Sequence, residues 1–128
     1  MPTALELTHE EWQPYIEAAR QRLVPPKLTP AEQQLREQLL ARAREVAATL
    51  KNRFGARRVI LFGSLVDTDW FTPNSDVDLA VEGLAKDAYW QAWKLAEDII
   101  SHRPVDLIEL ESATESLAQA IRQYGVEL

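Results

Sequence analysis

Asp76 and Asp78 stand two residues apart at the head of an apolar alternation, with Val77, Leu79 and Val81 interleaved and following. In an extended strand successive side chains go to opposite faces, so the two carboxylates share one face and the three aliphatic residues share the other. Carboxylates held this close repel each other unless a positive charge lies between them, and hard oxygen ligands of this kind select Mg2+. Gly63-Ser64 stands a short way upstream. A glycine lets a backbone N–H approach a ligand with no Cβ in the way, and the neighbouring serine hydroxyl can bond a phosphate oxygen. Either motif alone reads as an ordinary hairpin with a Gly-Ser turn and an aspartate-led second strand. Together they point to a metal-bound nucleoside triphosphate.

The elements that must position these residues can be read from pattern. Val59-Ile60-Leu61-Phe62 is a short, β-branched apolar run ending at Gly63, which predicts a buried first strand. The second strand starts at Asp76, after a polar passage with Pro73, Asn74 and Ser75. Upstream, Thr29-Pro30-Ala31-Glu32 combines a cap, a proline at the first helical position and a glutamate that can close a capping box. The stripe Leu35, Leu39, Ala43, Val46, Leu50, Phe54 then predicts a long helix, with Gly55 as its stop. After the second strand, residues 85–102 read as a helix with Tyr89, Trp93, Ala96 and Ile100 on one face, Trp90 off that stripe and His102 at the C-terminal end. Pro104 ends it, and Val105 to Leu110 predicts a third strand. A last helix, from about Ser112 to Tyr124, carries the stripe Leu117, Ala120, Ile121 and Tyr124, with Gly125 as its stop. Residues 8–24 predict a further helix, from the capping box Thr8/Glu11 and the stripe Trp12, Ile16, Ala19, Leu23, and a stiff Val24-Pro25-Pro26-Lys27 link follows.

The third strand carries a further carboxylate. Val105 and Leu107 would face the core beside the Asp76–Asp78 strand, which turns Asp106 to the same side as the aspartate pair. Glu109 and Glu111 have the opposite parity.

With these residues in place the chain resembles the nucleotidyltransferase superfamily typified by DNA polymerase beta. That superfamily's signature is a hydrophobic residue before Gly-Gly or Gly-Ser, a spacer, and Asp-x-Asp or Asp-x-Glu; here it is Phe62-Gly63-Ser64 and Asp76-Val77-Asp78. The resemblance implies an α/β (α+β) nucleotidyltransferase fold, with a small mixed sheet of about three strands flanked by helices. It divides the chain into an N-terminal helical extension, residues 1–28, and a minimal nucleotidyltransferase domain, residues 29–128. It further implies two Mg2+ ions held by Asp76, Asp78 and Asp106, with ATP as substrate and Gly63 and Ser64 on its phosphates. Attack of a hydroxyl on the α-phosphate would release pyrophosphate, with Asp106 as ligand or base on the hydroxyl's side. The spacer departs from the family. It runs eleven residues, 65–75, one more than usual, and opens Leu65-Val66-Asp67-Thr68-Asp69-Trp70 where the family commonly has a small or basic residue.

The short chain is similar to the minimal nucleotidyltransferases, which are often paired with a HEPN-domain toxin. This resemblance implies an antitoxin that transfers AMP to a hydroxyl on its partner. The alternative is a catalytically weak or inactive binding module that neutralises the partner by contact.

Composition sets the frame. The chain has 128 residues, 14 Lys and Arg against 20 Asp and Glu, a net charge of -6 and no cysteine. Disulfides and thiolate metal sites are excluded, which fits a reducing cytoplasm. His9 and His102 are too few for a zinc site, and no apolar run approaches the ~20 residues that span a bilayer. The acidic balance argues against direct nucleic-acid binding. Residues 32–58 are nonetheless locally basic, which reads as a solvated helix face.

Overall fold

The structure, a computed structural model, describes residues 28–128. The predicted helix over 8–24, the proline link and the boundary at residue 28 therefore lie outside the described residues or at their edge. Helix α1 spans Pro30–Phe54. Its capping box closes in both directions, with the Thr29 N–H donating to Glu32 Oε1 at 3.1 Å and the Glu32 N–H to Thr29 Oγ1 at 3.2 Å. Its other end stops at Gly55, which takes the left-handed conformation (φ 70°) of a helix C-cap. Leu39, Ala43, Val46, Ala47 and Leu50 are its buried stripe.

The chain then runs through β1 (Arg58–Phe62), β2 (Val77–Glu82), helix α2 (Tyr89–Ile100) and β3 (Val105–Glu109). A short 3-10 turn (Leu110–Ser112), helix α3 (Glu115–Tyr124) and β4 (Val126–Glu127) complete it. The sheet order is β3-β2-β1-β4, with β2 and β3 parallel and the other pairs antiparallel. The fold is thus the expected mixed α+β class, but the sheet has four strands rather than about three. The extra strand is two residues long, too short to leave a periodic signal.

Two helix expectations need correction. Helix α2 starts at Tyr89 rather than 85 and ends at Ile100 rather than 102, because residues 86–87 form a turn and Ser101 and His102 adopt positive φ. In α3 the buried residues are Ala118 and Ile121, whereas Leu117, Ala120 and Tyr124 are exposed. Of the expected stripe only Ile121 faces the core, and Ala118 joins it there. Its start also slips to Glu115, because Thr114 supplies the N-cap by accepting from the Leu117 N–H.

Strand alternation divides the sheet between two cores. Val59, Leu61, Val77, Leu79, Val81, Val105 and Leu107 face α1 and α2. On the opposite face, Ile60 and Ala80 pack with Leu110 and Ile121, and Phe62 lies against them. Gly125 allows this second contact, since a Cβ there would collide with Ile60 Cγ2 and the Ile121 carbonyl.

The outer edge of the sheet, at β3, is capped by aromatic side chains. The Val77 N–H donates to the Pro104 carbonyl, so alternate carbonyls of β3, at Val105 and Leu107, point away from β2. Trp93 Nε1 donates to the first at 3.0 Å and Tyr89 Oη to the second at 2.6 Å. Trp90 stacks edge-on to both rings and is 71% exposed.

Candidate active site

The second face of the sheet is where the acidic residues gather. Parity puts Asp78 and Asp106 there, and the parallel register of β2 and β3 sets them directly opposite each other. Antiparallel pairing on the other side sets Phe62 opposite Asp78, which brings the following residue, Gly63, against the same carboxylate. Gly63 has φ 81°, and a Cβ there would run into Asp78 Oδ2. Its missing side chain is therefore required twice, by the backbone conformation and by the approach of the Asp78 carboxylate.

Asp76 lies immediately before β2 and is exposed, as is Asp106, while Asp78 is half-buried. Burial, then Asp106, then Asp76 push the Asp78 carboxyl up from 3.8 to about 6. Burial disfavours the charged form, and the two neighbouring carboxylates add their repulsion to it. Burial first, then Asp106 and Glu109, also raises the Tyr89 phenol. Glu111 turns elsewhere and accepts from the Gly83 N–H at 2.8 Å.

The donor set suits Mg2+ by type. Two hard carboxylates face each other, Asp78 on β2 and Asp106 on β3. Among the described residues no three acidic, histidine or cysteine side chains form a closed metal-binding group. Mg2+ is commonly held by one or two carboxylates together with the phosphates of its substrate, so the open arrangement fits the ion.

The spacer between the two motifs folds back onto the core. Leu65 and Phe71 are buried, so Phe71 is a packing residue, whereas its neighbour Trp70 is half-exposed. Asp67 serves the turn: its carboxylate accepts from the Asp69 N–H at 2.9 Å, and its carbonyl from the Trp70 and Phe71 N–H groups. Farther on, the Thr72 N–H donates to the buried Ser75 Oγ at 2.9 Å and the Asn74 N–H to Thr72 Oγ1 at 3.3 Å, a local turn built from hydroxyls.

Two arginines brace this spacer. Arg36 of α1 donates from Nε to the Leu65 carbonyl and from Nη2 to the Val66 carbonyl, both at 3.0 Å. Arg103 donates from Nη1 to the Ser75 carbonyl at 2.6 Å and from Nη2 to the Pro73 carbonyl at 3.0 Å. Neither residue stands out in the sequence, because a guanidinium on a backbone carbonyl has no partner motif to find. Arg42 likewise donates to the Ile100 carbonyl at 2.7 Å, so the basic stretch 32–58 is not simply a solvated face.

Residues 44–128 match the family described as Polymerase beta, Nucleotidyltransferase. A solved structure assigned as a minimal nucleotidyltransferase is 25% identical with a TM-score of 0.61, the match covering 73% of this chain and 95% of that one. A crystal structure of the toxin-antitoxin MntA-HepT is 24% identical with a TM-score of 0.52, covering 69% of each chain. No curated protein sequence is detectably similar.

Proposed function

The chain belongs to the polymerase beta nucleotidyltransferase family, and from that premise we propose that it transfers a nucleoside monophosphate, AMP from ATP, to a hydroxyl on a partner protein. The observation that carries this reading is the in-register pair Asp78–Asp106 with Gly63 closed against Asp78. Gly63, Asp78 and Asp106 lie together on the sheet, which supports a shared role for the glycine and the carboxylates.

The residues divide the work. Gly63 offers an N–H with no side chain to obstruct a phosphate, and Ser64 adds a hydroxyl donor. Asp78 and Asp106, with Asp76 at the mouth, would hold Mg2+. When bound, that ion would neutralise triphosphate charge and lower the pKa of the acceptor hydroxyl. The hydroxyl oxygen forms a bond to the α-phosphorus as the bond to the bridging oxygen breaks, and pyrophosphate carries off the electron pair. Asp106, exposed and facing Asp78, takes the hydroxyl proton. Catalysis of this kind rests on positioning and fixed charge. The partner is a HEPN-type toxin and the chain its antitoxin, a reading supported by the likeness to the minimal nucleotidyltransferase and to the MntA-HepT structure. The setting is cytoplasmic, a reading that draws on the absence of cysteine.

One observation favours a second reading. The spacer carries Asp67 and Asp69 where the family commonly has a small or basic residue, so its opening residues bring no basic group to a triphosphate. That arrangement also suits an antitoxin that acts by contact alone. Transfer from ATP labelled at the α- or the γ-phosphate, with Mg2+ and a HEPN-domain protein as acceptor, separates the readings. Label on the acceptor from α only, lost in Asp78→Asn, is the expected result. Label from γ only contradicts nucleotidyl transfer, and neutralisation of the toxin without any label supports the contact-only antitoxin.

A further inference from the structure

Between α2 and β3 the chain makes a turn that ordinary side chains avoid. Ser101 and His102, neither of them glycine, both have positive φ, 58° and 65°. Positive-φ backbone at such residues is unfavourable and persists only where the surroundings impose it. What this turn delivers is Arg103. Its guanidinium spans to the end of the spacer and donates to the carbonyls of Pro73 and Ser75, the residue just before Asp76. The adjoining Pro104 carbonyl accepts from the Val77 N–H, just after Asp76. Asp76 is thus held from both sides by the segment that leads into β3, and β3 carries Asp106.

We propose that Arg103 is a positioning residue for the carboxylates. By tying Pro73 and Ser75 to the head of β3, it fixes where Asp76 enters β2 relative to Asp78 and Asp106. The strained Ser101–His102 turn aims the guanidinium at those two carbonyls. A fork of two N–H donors on two carbonyls restrains both distance and rotation, which a single ammonium cannot do. The role rests on the nucleotidyl-transfer reading, since what it positions is that site.

The test compares Arg103→Ala and Arg103→Lys with Arg42→Ala in the full chain. Arg42 makes the same kind of bond, to the Ile100 carbonyl, but does not touch the spacer, so it reports the structural cost of losing such a contact. Two quantities are read: amide hydrogen exchange at Ser75 and Val77, and the affinity for ATP in the presence of Mg2+. Both amides are hydrogen-bonded, to the Thr72 and Pro104 carbonyls. In Arg103→Ala both should exchange faster, and Mg-ATP affinity should fall about 10- to 100-fold, the scale of a small misplacement at a reacting centre. Arg103→Lys should fall between Arg103→Ala and wild type, and Arg42→Ala should melt lower with both readouts unchanged. Faster exchange with unchanged affinity would make Arg103 merely structural and overturn the proposal. So would equal effects in Arg103→Ala and Arg42→Ala. Wild-type protein that binds no Mg-ATP contradicts the nucleotidyl-transfer reading itself. The proposal, which rests on that reading, then falls with it, whereas amides that stay closed in the Arg103 variants of a protein that does bind Mg-ATP overturn the proposal alone.

Discussion

Asp78 carries the tension between stability and function in this chain. Its carboxyl is raised from 3.8 to about 6 by burial, Asp106 and Asp76, so the folded state keeps a proton that the unfolded chain has released. Between those two values the folded state binds more protons, and stability falls as pH rises, with the full penalty in place above about pH 6. Asp78→Asn removes the charge and keeps the shape. Discounted for partial solvation of the group, the gain should be about 1–2 kcal/mol at pH 7.5 and should vanish near pH 4, as read by urea unfolding at the two values. A gain that does not change with pH would contradict the cause assigned here. The same variant should lose nucleotidyl transfer, so the residue destabilises the fold it serves. Gly63→Ala is its geometric counterpart: the added methyl meets Asp78 Oδ2 on a backbone with φ 81°. It should lower stability by about 1–2 kcal/mol and weaken Mg-ATP binding as the carboxylate is pushed aside. Unchanged binding would show that the close approach has no bearing on the site.

At the scale of elements, the site depends on how the second face of the sheet is covered. Helix α3 shields Ile60 and Ala80 and leaves Asp78 and Asp106 accessible, and the contact passes over Gly125. Gly125→Ala should therefore lift α3 off β1 at about 1–3 kcal/mol, the usual cost of overpacking, with faster exchange of the Leu128 N–H, which bonds the Val59 carbonyl. A neutral substitution would mean that the helix is not closely seated. Much of this arrangement was legible in the sequence. Helix α1 announced itself through Thr29, Pro30, Glu32 and Gly55, and the two central strands through apolar runs around the glycine and the aspartates. In α3 the expected stripe was right at Ile121 and wrong at Leu117, Ala120 and Tyr124, because apolar residues at helical spacing do not by themselves say which of them meets the core. β4 was missed because two residues cannot display a period. The braces from Arg36 and Arg103 were invisible for another reason. Their partners are carbonyls, which every residue has.

Over the whole molecule, the described residues form one frame behind the Asp78–Asp106 pair. Helices α1 and α2 pack on one face, α3 covers part of the other, and aromatic side chains cap the outward carbonyls of β3. No helix among the described residues is long and apolar enough to cross a membrane. The paired aspartates will not hold a triphosphate by themselves, because their charge has the wrong sign; a divalent cation must join the two. Nucleotide binding should therefore be metal-dependent and run through the aspartates. Calorimetric titration of ATP, with and without Mg2+, into wild type and an Asp76→Ala/Asp78→Ala variant tests it most directly. Wild type should bind in Mg2+ only, and the variant should not bind at all. ATP binding that ignores Mg2+ or survives the double substitution would contradict this, as would a wild-type protein that binds no ATP under either condition.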